Sequence, residues 1–276
     1  MNNFRINSVT FCFLMFAFVI NITSCKETDY RSAEGYPDQL VYMPAAYGGF
    51  HGVYKIDKIT DYLGNKTPVP GALSKYIVDL ENRKFIVPLA VYRSGVTNSG
   101  DVNVNIVALG DSVSSFNASP DFTDKLTLIP STEYVVPVSA TIKDGDDIAQ
   151  FNLEIDLDYL LAGFDTKSYA ISVNVSSPDR ASNKKLATTT VVVYSKILKA
   201  TAAFSYTKSE KTISFANISS MSNHYSWNFG DGSVLSEEIS PIHAYATSGT
   251  YTVTLKAFGI AGDESNSVFT KTITIP

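Results

Sequence analysis

The chain has little cysteine, little histidine, one tryptophan and no long apolar run after its first twenty residues. Two cysteines, Cys12 and Cys25, in 276 residues exclude a disulfide framework. Three histidines, His51, His224 and His243, show no spacing that would hold zinc, and no metal or other cofactor is expected. Basic runs are missing too: 22 Lys and Arg are scattered among 27 Asp and Glu, which argues against nucleic acid as a partner. Helical periodicity is scarce, and this disfavours an alternating α/β sheet. The one continuous apolar stretch, Phe11 to Ile20, is half the ~20 residues that a membrane-spanning helix needs.

What that stretch does suit is a signal peptide, with Arg5 ahead of it and a short apolar centre. Ile22-Thr23-Ser24-Cys25 then places a branched apolar residue three before a cysteine, with small residues between. This resembles a bacterial lipoprotein signal. The resemblance implies removal of residues 1–24 and acylation of Cys25, and more than one acyl chain anchors a protein stably to a membrane. Lys26-Glu27-Thr28-Asp29 is similar to the Lys-plus-acidic tag that follows the acylated cysteine in surface-exported lipoproteins of Bacteroidota. The expected location is therefore the outer membrane, at the cell surface.

After a tether over 25–38, the chain breaks into short strand-like segments. Val102 to Leu109, Gln150 to Leu157 and Tyr169 to Ser177 alternate apolar with polar residues, the period of half-buried strands. Two short helical turns are expected, one capped by Asp111 or Ser112 and one over Asp158 to Asp165. The pattern predicts an all-β chain of two antiparallel β-sandwich domains, over 39–198 and 199–276, divided near Lys199.

Two family resemblances sharpen this. Phe215 and Asn217, then Trp227-Asn228-Phe229-Gly230-Asp231-Gly232, Pro241-Ile242-His243-Ala244-Tyr245 and Gly249 to Leu255 resemble a polycystic kidney disease (PKD) domain. This implies an immunoglobulin-like sandwich with Trp227 in its core, serving as spacer or binding module. Asn228 stands where that family usually has Asp. The first domain is similar to a domain of unknown function at the N-terminus of Bacteroidota surface lipoproteins in polysaccharide-utilisation systems. That likeness rests on Val102 to Ala118, Ile129-Pro130 with Glu133-Tyr134, Thr141 to Gly145, and Tyr169 with Ile171 and Val173.

Several motifs invite a catalytic reading. Gly110-Asp111-Ser112 resembles the start of a GDS-type esterase, with Ser112 as nucleophile, but such enzymes carry Asp three residues before the histidine. Gly48, Met221 and Ser240 stand there instead. Asp144-Gly145 with Asp147 begins like the acidic motif of family-18 glycosidases, but Phe151 falls at the position of the general acid. Glu154, Asp156 and Asp158 are expected on one outer strand face, solvated, and the Asn228 to Asp231 turn is a possible calcium loop.

No enzyme is expected. The expected function is glycan binding, or an accessory role in a polysaccharide-utilisation system, with polysaccharide or oligosaccharide and other outer-membrane glycan-uptake proteins as partners. Tyr47 and Phe50, beside Gly48-Gly49, are the expected glycan contacts. A structural or adhesion protein binding other proteins is the first alternative, and the Ser112 esterase the second.

Overall fold

The structure, a computed structural model, describes residues 38–46, 52–59, 75–95, 97–120, 125–164 and 166–276. In chain order it runs β1 (Leu40–Tyr42), β2 (Val53–Ile56), β3 (Ile77–Asp79), β4 (Lys84–Arg93), β5 (Val102–Leu109), α1 (Asp111–Ala118), β6 (Leu126–Leu128), β7 (Tyr134–Val135) and β8 (Ser139–Ile142). There follow β9 (Ile148–Asp156), α2 (Leu157–Ala162), β10 (Ser168–Ser176), β11 (Ala181–Ser182) and β12 (Thr188–Tyr194). The second half holds β13 (Phe204–Ser209), β14 (Thr212–Asn217), β15 (Tyr225–Asn228), β16 (Ile242–Ala244), β17 (Gly249–Ala257) and β18 (Ser267–Ile275).

These make two all-β sandwiches. In the first, one sheet has the order β11-β1-β4-β9-β7 with β3 beside β4, and the other β2-β12-β10-β5-β8 with β6 beside β10. Phe85, Val87, Leu153 and Ile155 from the first sheet and Val104, Tyr169, Ile171 and Val191 from the second fill the space between them. In the second sandwich, β13-β14-β16 faces β15-β17-β18 around Trp227, which is fully buried. The long ladders are antiparallel, as the alternation predicts. Three short pairings, β1 with β11, β2 with β12 and β6 with β10, are parallel.

Three expectations need correction. Alternation predicts one solvated face for the strand over Tyr169 to Ser177, yet Tyr169 to Val173 are all buried. The inner face packs in the main core, and the outer face is covered by α1, where Val113 and Phe116 pack with Val53, Leu126, Ala170 and Val192. A strand covered on both faces loses its polar alternation. The second concerns the acids: β9 ends at Asp156, whose side chain accepts from the Tyr159 amide (2.8 Å) and caps α2, while Asp158 lies in the helix. Glu154 and Asp156 therefore stay on the outer face of β9, and Asp158 leaves it. The α1 cap also differs: Gly110 occupies the N-cap and no side chain bonds there.

Arg93, at the end of β4, is only 4% exposed without a carboxylate partner among the described residues. Its guanidinium spends all five N–H groups on backbone carbonyls: Nε on Asp146 (2.7 Å), Nη1 on Ser99 (3.3 Å) and Gly100 (2.7 Å), Nη2 on Asn98 and on Lys143 (3.3 Å). It thus ties the loop after β4 to the Asp144-Gly145 turn. The same turn is held by Asp144, which accepts from the Gly100 amide (2.6 Å), so this carboxylate serves loop geometry.

The two sandwiches are docked. Leu198 belongs to the first core and Ala200 to the second, so the chain passes between them at Lys199 with almost no slack. Ile260 and Ala261, from the loop joining β17 to β18, are members of the first sandwich's core. Arg83, in the β3–β4 turn, reaches both Asp158 of α2 and Glu264 of that loop, the latter at 2.6 Å. Residues 37–276 accordingly form one compact unit.

Lysine offers one cationic head where Arg93 offers a planar fork. Arg93→Lys is therefore expected to leave buried carbonyls unpaired and to cost about 2 kcal/mol or more of unfolding free energy, read by urea denaturation. An unchanged midpoint and slope would contradict this role.

Candidate functional site

The docking of the sandwiches creates a cleft of about 460 Å³ beside the joint. One wall is Leu80, from the β3–β4 turn; the rest comes from Asn223 and His224 before β15 and from Phe258 to Asn266 between β17 and β18. A volume of this size accepts one or two small rings.

The β17–β18 loop is shaped by its own residues. The Ser265 hydroxyl donates to the Gly262 carbonyl (2.5 Å) and accepts from the Ala261 amide (3.0 Å). Asn266 accepts from the Gly259 amide (3.0 Å) and donates to the Asp263 carboxylate (2.9 Å). A Cβ at residue 259 would lie 2.2 Å from the Ser265 carbonyl oxygen, so only glycine fits there. The loop is closed tightly enough to push Ile260 and Ala261 inward while Asp263 and Asn266 line the cleft.

At the cleft's aromatic edge the exposed His224 ring lies 4.7 Å from the half-buried Phe258 ring, tilted by 42°. Lys256 places its ammonium 4.6 Å from the Phe258 centroid. The Phe258 amide donates to the His224 carbonyl (3.0 Å), fixing the two residues side by side. Ring faces, an exposed amide at Asn223 and a carboxylate at Asp263 thus meet in one recess.

The Arg83 bridge beside the cleft is electrostatically matched. The guanidinium holds Asp158 below the ordinary carboxylate range. Glu264 is lowered first by its own backbone amide and next by Arg83. Arg83 itself is raised, chiefly by its bond to Asp158.

The residues singled out by sequence are distributed differently. Cys25, Tyr47, Phe50 and His51 lie outside the described residues. Ser112 sits on α1, against the outer face of a sheet in the first sandwich, while His224 and His243 belong to the second. The esterase constellation is not assembled among the described residues. Trp227 is wholly buried, its indole N–H donating to the Glu238 carbonyl (2.9 Å), so it is core and offers no exposed platform.

The Asn228 to Asp231 turn is occupied by its own partners. Asn228 Oδ1 accepts from the Gly230 amide (2.9 Å), an acceptor that Asn supplies as well as Asp. Gly230 has φ +81°, and a Cβ there would meet the Thr252 carbonyl at 2.4 Å. Asp231 accepts from the Ser233 amide (3.1 Å) and hydroxyl (2.6 Å) through Oδ1, and contacts His243 Nε2 (2.7 Å) through Oδ2. His243 in turn stacks on Phe229 at 3.9 Å and meets Tyr245 edge-on. Both carboxylate oxygens are committed within the fold, and no cluster of metal-ligating side chains exists among the described residues.

Burial pushes the Asp231 carboxyl up, but the Ser233 and His243 bonds outweigh it and hold the group at about 2 against an ordinary 3.8. A depressed carboxyl pKa stabilises the fold fully above the unfolded value, and the contribution is lost as pH falls through the folded one. Between pH 5 and pH 2 the protein should lose stability through this group, by less than the full shift because solvent screens it. Asp231→Asn should lack that increment, so urea titrations of both proteins at the two pH values should show the difference shrink; equal pH slopes would contradict it.

Comparison with known proteins agrees with this architecture. Residues 198–275 match the family model of the PKD domain, and residues 58–182 match a family model described as an N-terminal domain. The second sandwich is thus a PKD domain, as its motifs predict. The PKD1 domain of Vibrio anguillarum Epp is 27% identical, covering 28% of this chain and 93% of its own, with a TM-score of 0.25. A Bacteroides ovatus protein provisionally described as carbohydrate binding covers 86% of this chain and 70% of its own at 10% identity, with a TM-score of 0.40. An auxiliary nutrient binding protein of Bacteroides thetaiotaomicron covers 80% and 70% at 11% identity, with a TM-score of 0.36. No described helix is long and apolar enough to cross a membrane.

Proposed function

We propose that this chain is a non-catalytic lipoprotein of the outer membrane, held at the cell surface through acylated Cys25, which binds a glycan in the cleft beside the joint. The observation that carries the reading is the recess itself: His224 on Phe258, flanked by Asn223, Asp263 and Asn266, on a loop fixed by the docking of two sandwiches. A pyranose presents an apolar C–H face and a rim of hydroxyls. The ring pair suits the first, and the amide and carboxylate groups suit the second.

Because the cleft's wall is braced before ligand arrives, little ordering would oppose binding. In this reading the protein works by retention. The lipid anchor fixes the chain to the membrane, and the recess holds saccharide near glycan-uptake proteins of the same surface. Tyr47 and Phe50 are a separate candidate contact, read from the sequence alone.

A protein-binding role is supported by a different feature. Val234, Leu235, Ile239 and Ile242, within nine residues of the PKD domain, are 90%, 55%, 67% and 69% exposed, and exposed apolar side chains suit a protein partner where they form a patch.

Affinity electrophoresis of a soluble form beginning at Lys26, through gels containing neutral plant, host or microbial polysaccharides, separates the readings. Retardation by one glycan class, lost in His224→Ala and in Phe258→Ala, is expected. Retardation lost only in Tyr47→Ala or Phe50→Ala would move the site to the first sandwich, and no retardation in any gel would favour the protein-binding role. For the anchor, Cys25→Ala should abolish incorporation of radiolabelled palmitate and release the protein from membranes. Continued labelling would refute acylation at Cys25.

A further inference from the structure

The cleft beside the joint does not end at its rings. The Phe258 amide donates to the His224 carbonyl (3.0 Å), which carries the β15–β17 ladder one residue past the pairing of Tyr225 with Ala257. Residues directly opposite in an antiparallel ladder share a face, and the face alternates along each strand. Val253, Leu255 and Ala257 point into the PKD core. His224 and Phe258 are therefore the first row of the sheet's outer face, and Ser226, Lys256 and Val268 are the second.

Beyond Lys256 the outer face is a ladder of threonines. Thr254 stands opposite Thr270, Thr252 opposite Thr272 and Thr250 opposite Thr274, with Asn228 beside Thr254. Thr254 is half-buried and the other five are exposed. The strand from Phe258 to Thr250 is about 27 Å long, with a rung about every 7 Å. Among the outward residues of these three strands none is acidic and Lys256 alone is charged, its ammonium already lying over Phe258.

The hydroxyls have capacity to spare. Those of Thr250 and Thr274 lie 3.5 Å apart, while those of Thr252, Thr254, Thr270 and Thr272 have no hydrogen-bond partner among the described residues. Each hydroxyl can donate one bond and accept two, and each carries a methyl group beside it. The backbone beneath is fixed by nine paired positions between β17 and β18, so little ordering would oppose binding.

A ligand on this strip meets rings at one end and then hydroxyls and methyls at a regular interval. A single sugar covers only the ring end. A linear chain of sugars repeats the same apolar C–H patches and hydroxyls along its length, as the strip does. An acidic polymer would find one lysine, and a folded protein would have to pair every hydroxyl it buried.

We propose that the outer face of β15, β17 and β18 is a platform for a linear, uncharged polysaccharide, which lies over Phe258 and His224 and runs along the threonine ladder toward Thr250. This rests on the glycan reading of the cleft and adds to it that the ligand is an extended chain rather than a terminal sugar.

The test is isothermal titration of the full mature chain in detergent with β-1,4-linked gluco-, xylo- and manno-oligosaccharides of two, four and six units. For a series that binds, affinity should rise about tenfold or more from two units to six, the scale of one or two added hydrogen bonds. Thr252→Val with Thr272→Val removes two hydroxyls at nearly constant shape. It should erase that rise and leave the two-unit ligand unaffected, whereas Thr252→Ser with Thr272→Ser should keep the rise. Equal affinity at every length, or a rise that the Val pair leaves intact, would overturn the platform without touching the cleft. No binding of any series would overturn both. Sedimentation velocity examines a second copy as the occupant: a dimer that dissociates in the Val pair would make the face a contact between copies and would overturn the platform too.

Discussion

Two side chains, Ile260 and Ala261, are made by the PKD domain and buried in the core of its neighbour. Burial of apolar surface is the largest favourable contribution available to a fold without disulfides, and here it couples two cores. The rest of the joint follows from that contact. The β17–β18 loop must turn sharply to deliver the pair, hence the close approach at Gly259 and the Ser265 and Asn266 bonds. The loop's acidic turn then comes within reach of Arg83, which also holds α2. The recess lined by Leu80, His224 and Phe258 is the space left beside this joint.

The PKD domain's own turn motif plays a different part. In Trp227 to Gly232 each polar side chain has an internal partner: the indole holds the Glu238 carbonyl, Asn228 the Gly230 amide, and Asp231 both Ser233 and His243. His243 is further fixed between Phe229 and Tyr245. A network satisfied in this way rigidifies the domain and leaves recognition to surfaces where polar groups still face open space.

The sequence made the fold class and the PKD domain readable because their signals are local. Period-2 alternation in β5 and β9, and a six-residue turn whose side chains bond to neighbours two residues away, can be seen in a linear string. Asp156 as a helix cap was missed because its strand-like spacing continues the β9 alternation until the backbone turns. The doubly covered β10 was missed because α1 arrives from fifty residues earlier. The cleft has no linear motif. It joins Leu80 to residues 223–224 and 258–266, which only the topology brings together. Arg93 was hidden for the same reason, since its partners are carbonyls, which every residue carries.

Coupling of the two sandwiches is what makes the cleft a preformed site, and the lone tryptophan allows it to be measured. Trp227 fluorescence reports the PKD domain alone, whereas far-UV circular dichroism reports both sandwiches. On urea denaturation the two signals should give coincident midpoints, and Ile260→Asp should separate them by loosening the shared core. Two well-resolved transitions in the unsubstituted protein would show that the sandwiches unfold independently and would contradict the account.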